Sequence, residues 1–477
     1  MRKRMLLLFV LTAVLLIAVS VASAQGGPPG SGYWFGATHQ NVGNANAAIS
    51  IVAYDSASSA TYTYNPPPLA PGASLNVGPD DIPSLPAGFV GSMVTSSDQP
   101  LVALVNVTNR LAGSFGTPNG KGAAIYSGVD GSRTSADLSF PLAKHNHFNK
   151  TTTFYLQNAG ASATTISLVF SFGGIDYPHT TPSIDPGQMV AVDPGQAGVP
   201  AASVGAMTMS SAEPIAGAML EHEHSAAVGT VLQGSGGFAP SELEQVVYCP
   251  TYKQDHFGRR SGLQVQNVHT VAQDVTVEFI NATDTFVSTV QDLAPGASVT
   301  FINDPNIISG TLFAATVTGE LGPVAGIVNE SELPLVNPLQ TSTTYNCQAA
   351  GLATGELSYP AYKELWFGRT AALQIQNVGG AAANVVLSFT DNNNSVHTTN
   401  PQSIQPGASS VFVCVSANAG LWSGAALSGN TLSGVTVTAD QPIIAVANEA
   451  SWADLSPCLP DNSPASFDKS TSNSFNG

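Results

Sequence analysis

Four histidines have the spacing most suggestive of chemistry in this chain. His145-Asn146-His147 and His222-Glu223-His224 are two His-x-His pairs. On a strand, residues two apart share a face, so each pair could turn two imidazoles toward one Zn²⁺ or Cu²⁺. In an immunoglobulin-like sandwich the first and last strands run side by side, so the two pairs could meet at one pole with Glu223. The bland alternative is a polar seam with surface histidines. It gains weight because the aligned positions hold His256 and Glu330 in one later repeat, and Trp366 and Glu449 in another. The pattern is not His-Glu-x-x-His, so a zinc protease is not expected.

Other candidates read more simply. Asp391-Asn392-Asn393-Asn394-Ser395 resembles a fragment of a calcium loop, but it has no Gly at its sixth position and no downstream Glu. A hairpin turn is the expectation. Trp34 and Trp366 could be ligand platforms; strand-end packing is the commoner role. No nucleophile elbow and no carboxylate pair stands out, so no cofactor and no enzymatic activity is expected.

The chain has four cysteines: Cys249, Cys347, Cys414 and Cys458. An even number in an exported chain suggests disulfides, and four cysteines allow three pairings. Cys249–Cys347 and Cys414–Cys458 are favoured, the first bracketing one repeat and the second tying a strand to the C-terminal extension. Cys414 could instead be a buried thiol.

These residues need a scaffold, and composition says which kind. Only 9% of the 477 residues are charged, against about 25% in an average globular protein. Helices ordinarily present Glu, Lys and Arg to solvent, so an all-β chain is expected. Met1-Arg2-Lys3-Arg4, an apolar run from Met5 to Val21, and Ala22-Ser23-Ala24 read as a signal peptide over 1–24, with an uncleaved anchor as the alternative. Losing Arg2, Lys3 and Arg4 takes the net charge from -17 to -20. Such a chain repels nucleic acid and anionic lipid, so a secreted protein with no nucleic-acid partner and no membrane span after cleavage is expected.

The scaffold repeats. Gln40-Asn41-Val42-Gly43, Gln157-Asn158-Ala159-Gly160, Gln266-Asn267-Val268-His269 and Gln376-Asn377-Val378-Gly379 recur 109 to 117 residues apart, a domain-sized period. Pro-Gly follows each Gln at 71–72, 186–187, 295–296 and 406–407, fitting a type II turn. Pro141, Pro250 and Pro360 stand 16 residues before their Gln. Leu373 and Ile375 alternate with Gln374 and Gln376, predicting a half-buried strand. Asn and Gly then turn the chain through positive φ. Pro100, Pro214, Pro323 and Pro442 open each unit's last strand. In the fourth unit seven strands are expected: Tyr359–Lys363, Ala371–Asn377, Asn384–Thr390, Val396–Thr399, Ser410–Val415, Gly434–Thr438 and Ile443–Asn448.

The expected architecture is an all-β tandem array of four immunoglobulin-like β-sandwich domains. They cover 25–112, 137–226, 245–333 and 357–456. Gly/Ser-rich linkers cover 113–136, 227–244 and 334–356, and a polar tail covers 457–477. The first unit lacks the leading Pro strand. It is incomplete, with an open edge suited to β-augmentation, or it borrows a strand.

The plan of Asn-x-Gly, an Ala-rich alternating strand, Leu-x-Pro-Gly-x-Ser and a closing strand ending Asn-Glu resembles the bacterial cell-adhesion-related CARDB-type repeats. It is also similar to secreted repeat proteins of Chloroflexota-like bacteria. The resemblance covers all four units. It implies an extracellular array with a surface or adhesive role and no catalytic residues. The expected partners are the protein itself, as homo-oligomer or filament, or a cell-surface polymer. A carbohydrate-binding array and a metal-binding protein are the alternatives.

Overall fold

The computed structural model describes residues 33–109, 123–223, 232–256, 258–332, 342–366, 368–393, 395–451, 469–473 and 475–476. The expected signal peptide, His224, Cys458, Phe257 and Phe367 lie outside the described residues.

Alternation along the chain becomes alternation of burial. In Ile166–Phe172 the side chains of Ile166, Leu168, Phe170 and Phe172 are buried, while Ser167 is exposed. Ala383–Asp391 repeats the pattern with Ala383, Val385, Leu387 and Phe389. Each apolar face finds a second layer, so the architecture is all-β and multi-sheet, with curled sheets packed sandwich-fashion.

The third unit shows the plan most openly. One sheet runs Thr285–Leu293, Gln273–Ile280, Thr311–Gly319, Val246–Gln254. The facing sheet runs Ser298–Ile302, Arg259–Asn267, Val324–Glu332, Ser342–Asn346. We call Val246–Gln254 the leading strand, Arg259–Asn267 the Gln strand, Thr311–Gly319 the penultimate strand and Val324–Glu332 the closing strand. The last two are a single strand in the second unit (Ser203–Glu223) and in the fourth (Thr431–Ser451). Pro214 and Pro442 therefore lie inside a strand, where a separate opening strand was expected. Pro323 and Pro100 do precede their closing strands. The other five strands expected in the fourth unit are present, with a short extra one at Gln402–Ile404.

Pro141, Pro250 and Pro360 sit in register shifts of the leading strands. A residue without an N–H fits where the ladder is already broken. The Pro-Gly turns have the expected positive φ at Gly72, Gly187, Gly296 and Gly407.

The Asn-x-Gly corner works differently from expectation. Asn41, Asn158, Asn267 and Asn377 are not among the positive-φ residues. Each acts as a staple. Asn377 Nδ2 donates to the carbonyls of Ala381 (2.7 Å) and Ile404 (2.9 Å), and its Oδ1 accepts from Gly379 N (2.9 Å). Asn41, Asn158 and Asn267 repeat all three bonds. The following Gly sits close to a side chain, so that a Cβ on Gly43, Gly160 or Gly379 would meet Gln99, Glu213 or Gln441 respectively, and the third unit accommodates His269 there.

The stretches expected to be flexible Gly/Ser joints carry strands. Ala123–Ser127, Leu232–Gly236 and Ser342–Asn346 each pair with the closing strand of the unit before. Lys469–Asn473, in the expected polar tail, pairs the same way with Thr431–Ser451. These four hub strands touch one another in cyclic order. The polar composition of Leu232–Gly236 and Ser342–Asn346 hid them, because a neighbouring hub strand can take up such side chains. Asn346 Nδ2 donates to Gly236 O (2.8 Å), and Ser235 donates to Asn346 Oδ1.

Candidate functional site

The functional features lie in the seams between units. The leading strands Ser135–His145, Val246–Gln254 and Thr354–Glu364 each pack on the Gln or closing strand of the next unit, and the fourth unit's partner is the first. The contacts therefore close into a ring. Leu104 and Ile125 of the first unit join the core of the fourth beside Leu357 and Tyr359. Ile327 enters the core of the second unit, and Val446 that of the third. Ser74 Oγ donates to Pro360 O (3.1 Å) across the closing seam.

This explains a departure from expectation. Gln374 and Gln376 were expected to face solvent opposite Leu373 and Ile375, yet all four are buried. The neighbouring leading strand covers the polar face. The Gln amides turn inward instead. Gln40, Gln157, Gln266 and Gln376 donate through Nε2 to the carbonyls of Gly72, Gly187, Gly296 and Gly407 at 3.2, 2.9, 3.1 and 3.0 Å.

A buried charge cluster recurs in three units, and sequence reasoning missed it. Glu221 lies 2.7 Å from Lys144 Nζ and 3.5 Å from Lys150 Nζ. Glu330 lies 2.8 Å from Lys253 Nζ and 3.5 Å from Arg259 Nη1. Glu449 lies 2.6 Å from both Lys363 Nζ and Arg369 Nη1. Burial pushes the Glu221 and Glu449 carboxyls up, but their paired cations outweigh it and bring each down to about 2. Asn329 Nδ2 of the third unit also donates to Glu221 (3.2 Å), so this cluster bridges two units. The signal was available in the sequence: in a chain so poor in charge, a cation stands 14 and 8 residues before the repeat Asn in three units. The first unit has Val107 at the Glu position and an apolar contact instead: Tyr33, Val107 and Tyr126 pack with Leu220, Leu232 and Tyr155.

The expected histidine site is not assembled among the described residues. His145 Nδ1 meets Val199 O (2.6 Å) and His147 Nδ1 meets Ala202 O (3.2 Å). His222 is buried, with Nε2 on Thr153 Oγ1 (2.9 Å). Each described imidazole thus has a different protein partner. No group of three or more His, Cys, Asp or Glu among the described residues is placed to hold a metal. His39, in the core of the first unit, meets Thr95 Oγ1 at 3.0 Å. Burial lowers its pKa to about 4, against a raising contribution from the Leu75 backbone.

Cys249 and Cys347 form the expected disulfide, 98 residues apart. Cys414 is disulfide-bonded too. Asp391 caps a hairpin loop, accepting from Asn393 N (2.8 Å) and Ser395 N (2.9 Å). Trp34 lies over Gly36 and Gly78, where a Cβ would come within 2.8 Å of its ring. A polar cleft of about 390 Å³ opens at the closing seam between Gln40, Asn41 and Gly72 of the first unit and Thr354, Glu356 and Ser358 of the fourth. No helix among the described residues is long and apolar enough to cross a membrane.

No protein-family model matches the chain, and no curated protein matches it. Among solved structures, "Crystal Structure of Thermotoga maritima 1070" is 14% identical, with 22% of this chain and 95% of that one covered and a TM-score of 0.20. An anti-sigma factor domain-containing protein is 8% identical, covering 66% of this chain and 94% of that one, with a TM-score of 0.10. The arabinofuranosyltransferase AftD from Mycobacteria is 10% identical, covering 86% of this chain and 37% of that one, with a TM-score of 0.09.

Proposed function

We propose that this is an exported, non-enzymatic structural or adhesive protein of the cell surface or extracellular matrix. It is built from four immunoglobulin-like sandwiches, of which the first is incomplete. The observation that carries this reading is the ring of seams. Three leading strands each bury the Gln face of the next unit, and Glu221, Glu330 and Glu449 are ion-paired beneath. That investment in rigidity suits a module that holds its outward surfaces in fixed positions, so that weak contacts to a polymer or to further copies act together. The resemblance to cell-adhesion-related repeats and the acidic, Ser/Thr-rich composition support an extracellular setting.

Small-angle scattering and negative-stain microscopy of residues 25–477 over a concentration series test the reading. A compact four-lobed particle that binds a surface polymer or associates at high concentration is expected. An extended string of mobile beads, or turnover of a substrate, would overturn it.

The cleft at the closing seam favours one second reading, a carbohydrate site. Gln40, Asn41, Thr354, Glu356 and Ser358 line it, and their amide, hydroxyl and carboxylate groups suit hydrogen bonds to sugar hydroxyls. Glycan-array binding that a Gln40→Leu variant loses would support it, and equal binding by both would sink it.

A further inference from the structure

Three of the four seams contain a strand that, among the described residues, the remaining one lacks. Each leading strand has two roles. One edge pairs antiparallel with the penultimate strand of its own unit, as in Tyr252 opposite Phe313, Tyr362 opposite Ser433 and Phe140 opposite Met207. The other side packs on the next unit. Among the described residues the first unit has no leading strand, and its penultimate strand Gly91–Ser97 is the edge of a three-stranded sheet with Ile49–Asp55 and Thr61–Tyr64.

Both walls of this seam carry the mark of the gap. On the first unit, Val94 is 38% exposed and Val90 37%. Phe35, Leu69, Leu75 and Met93 are only partly buried. On the second unit, Gln157, Ala216 and Ala218 are half-buried, as is Tyr155, which packs with Tyr33 and Tyr126 of the first unit. Their counterparts Gln264, Gln266, Ala325 and Ile327 in the third unit are buried. So are Gln374, Gln376, Ile444 and Val446 in the fourth. The correspondence is fixed by register, with Ala218 opposite Tyr155, Ile327 opposite Gln264 and Val446 opposite Gln374.

The edge is also undefended. Sheet edges are ordinarily blunted by charge, proline or bulges. Gly91–Ser97 has no charged residue and no proline, and it pairs with Ile49–Asp55 without a register shift. Two other outer edges are guarded, Ile175–Thr180 by Asp176 and Pro178 and Thr285–Leu293 by Asp292 and a register shift, whereas Thr61–Tyr64 at the far side of the same sheet is not.

We propose that the seam between the first and second units is a docking slot for one extended segment of a partner protein. The segment adds antiparallel to Gly91–Ser97 and seats against Gln157, Ala216 and Ala218. The strands that fill the equivalent seams define its chemistry. They read Leu138-Ser139-Phe140-Pro141, Val247-Tyr248-Cys249-Pro250 and Leu357-Ser358-Tyr359-Pro360, each with a Lys three residues beyond the Pro. The occupant therefore alternates apolar residues and carries a Pro at its centre; the Lys of the other three strands meets Glu221, Glu330 or Glu449, and with Val107 at that position in the first unit an apolar residue fits in its place. Main-chain bonds to the edge supply affinity and the alternate side chains supply selection. Ala216 and Ala218, where the fourth unit has Ile444 and Val446, leave room for large side chains. Gly26-Gly27-Pro28-Pro29-Gly30, the nearest stretch of the chain's own sequence, is composed of residues that strands avoid.

The test uses residues 25–477 and a fluorescent peptide with the sequence of Thr354–Glu364. Saturable 1:1 binding is expected, with hydrogen-exchange protection gained in Gly91–Ser97 and Lys150–Asn158. Ala218→Arg, which fills the slot from the outward side of the second unit, is expected to weaken binding at least about tenfold with no change in melting temperature. The proposal is overturned by no binding, by equal binding to Ala218→Arg, or by protection confined to the peptide's own native seam. A concentration-dependent dimer abolished by Ala218→Arg, without peptide binding, would assign the slot to a second copy and overturn the separate partner. Binding seen only after residues 25–32 are removed would assign it to the chain's own leader, with the same consequence. The inference goes beyond the structural reading above. A compact ring with an empty slot would defeat it while leaving that reading intact.

Discussion

Lys363 Nζ sits 2.6 Å from Glu449 Oε2 beneath the seam face of the fourth unit, with the carboxylate 1% exposed. Arg369 holds the other oxygen at 2.6 Å. Glu449 and Glu221 both have carboxyls drawn down to about 2, below the unfolded value of 4.5. A depressed acid stabilises the fold above its unfolded pKa and loses that contribution as pH falls toward its folded one. The melting temperature should therefore be flat near neutrality and fall between about pH 4.5 and pH 2. Glu449→Gln should flatten part of that fall. It should also cost about 3–5 kcal/mol at pH 7, because two cations are left without their buried partner.

His39 predicts a separate, milder transition confined to the first unit. Its folded pKa of about 4 lies below the unfolded 6.5, so the unfolded chain takes up the proton first. Stability is complete above pH 6.5 and declines from there toward pH 4, by up to about 3 kcal/mol. Hydrogen exchange at pH 7 and pH 5 should show Ile49–Asp55 and Gly91–Ser97 loosening while the third unit does not change. His39→Leu, matching Leu156 in the second unit, should abolish the difference.

The Asn staples predict unusually costly single truncations. Asn377→Ala removes two donors to carbonyls and one acceptor for Gly379 N. Leaving such buried groups unpaired costs about 1–3 kcal/mol each, so denaturant melts should show a loss of at least about 2 kcal/mol. Asn377→Asp should recover little, since a carboxylate cannot donate to Ala381 O or Ile404 O. A loss below half that size would mean water replaces the staple.

The Cys249–Cys347 bridge spans 98 residues, and both cysteines are buried. Replacing both with Ala should lower stability by roughly 2–4 kcal/mol, measured as a change in denaturant midpoint. Under reducing conditions, wild type should approach the variant.

Gly434 tests closure of the ring. A Cβ there would collide with Gln40 Nε2 across the seam. Gly434→Leu should open the first-to-fourth contact and raise the radius of gyration in small-angle scattering. Far-UV circular dichroism should not change. An unchanged radius would mean the seam yields locally.

Much of the fold was legible because it is local. Alternation in Ala383–Asp391, positive φ at Gly407 and a Pro-centred leading strand follow from residue type and spacing, whatever lies around them. The Cys249–Cys347 pairing also followed from placement alone. What misled was the assumption that polar means exposed. Gln374 and Gln376 were assigned to solvent, and the hub strands Leu232–Gly236 and Ser342–Asn346 to flexible joints, because sequence shows a residue's character and not its neighbours. The Asn corner was assigned the right place with the wrong mechanism, a permissive backbone in place of a side-chain staple.

The sequence by itself determined the repeat, the strands, the turns and the departure of the first unit from the other three, since each depends on contacts within a few residues or on comparison between repeats. Only the tertiary structure decided that the units close on one another. It alone brought Glu221 to Lys144 and Asn329, gave the described histidines separate partners, and placed Gly91–Ser97 at the edge of its sheet. Burial of polar groups depends on partners about a hundred residues away, and no local pattern encodes which surface a neighbour will cover.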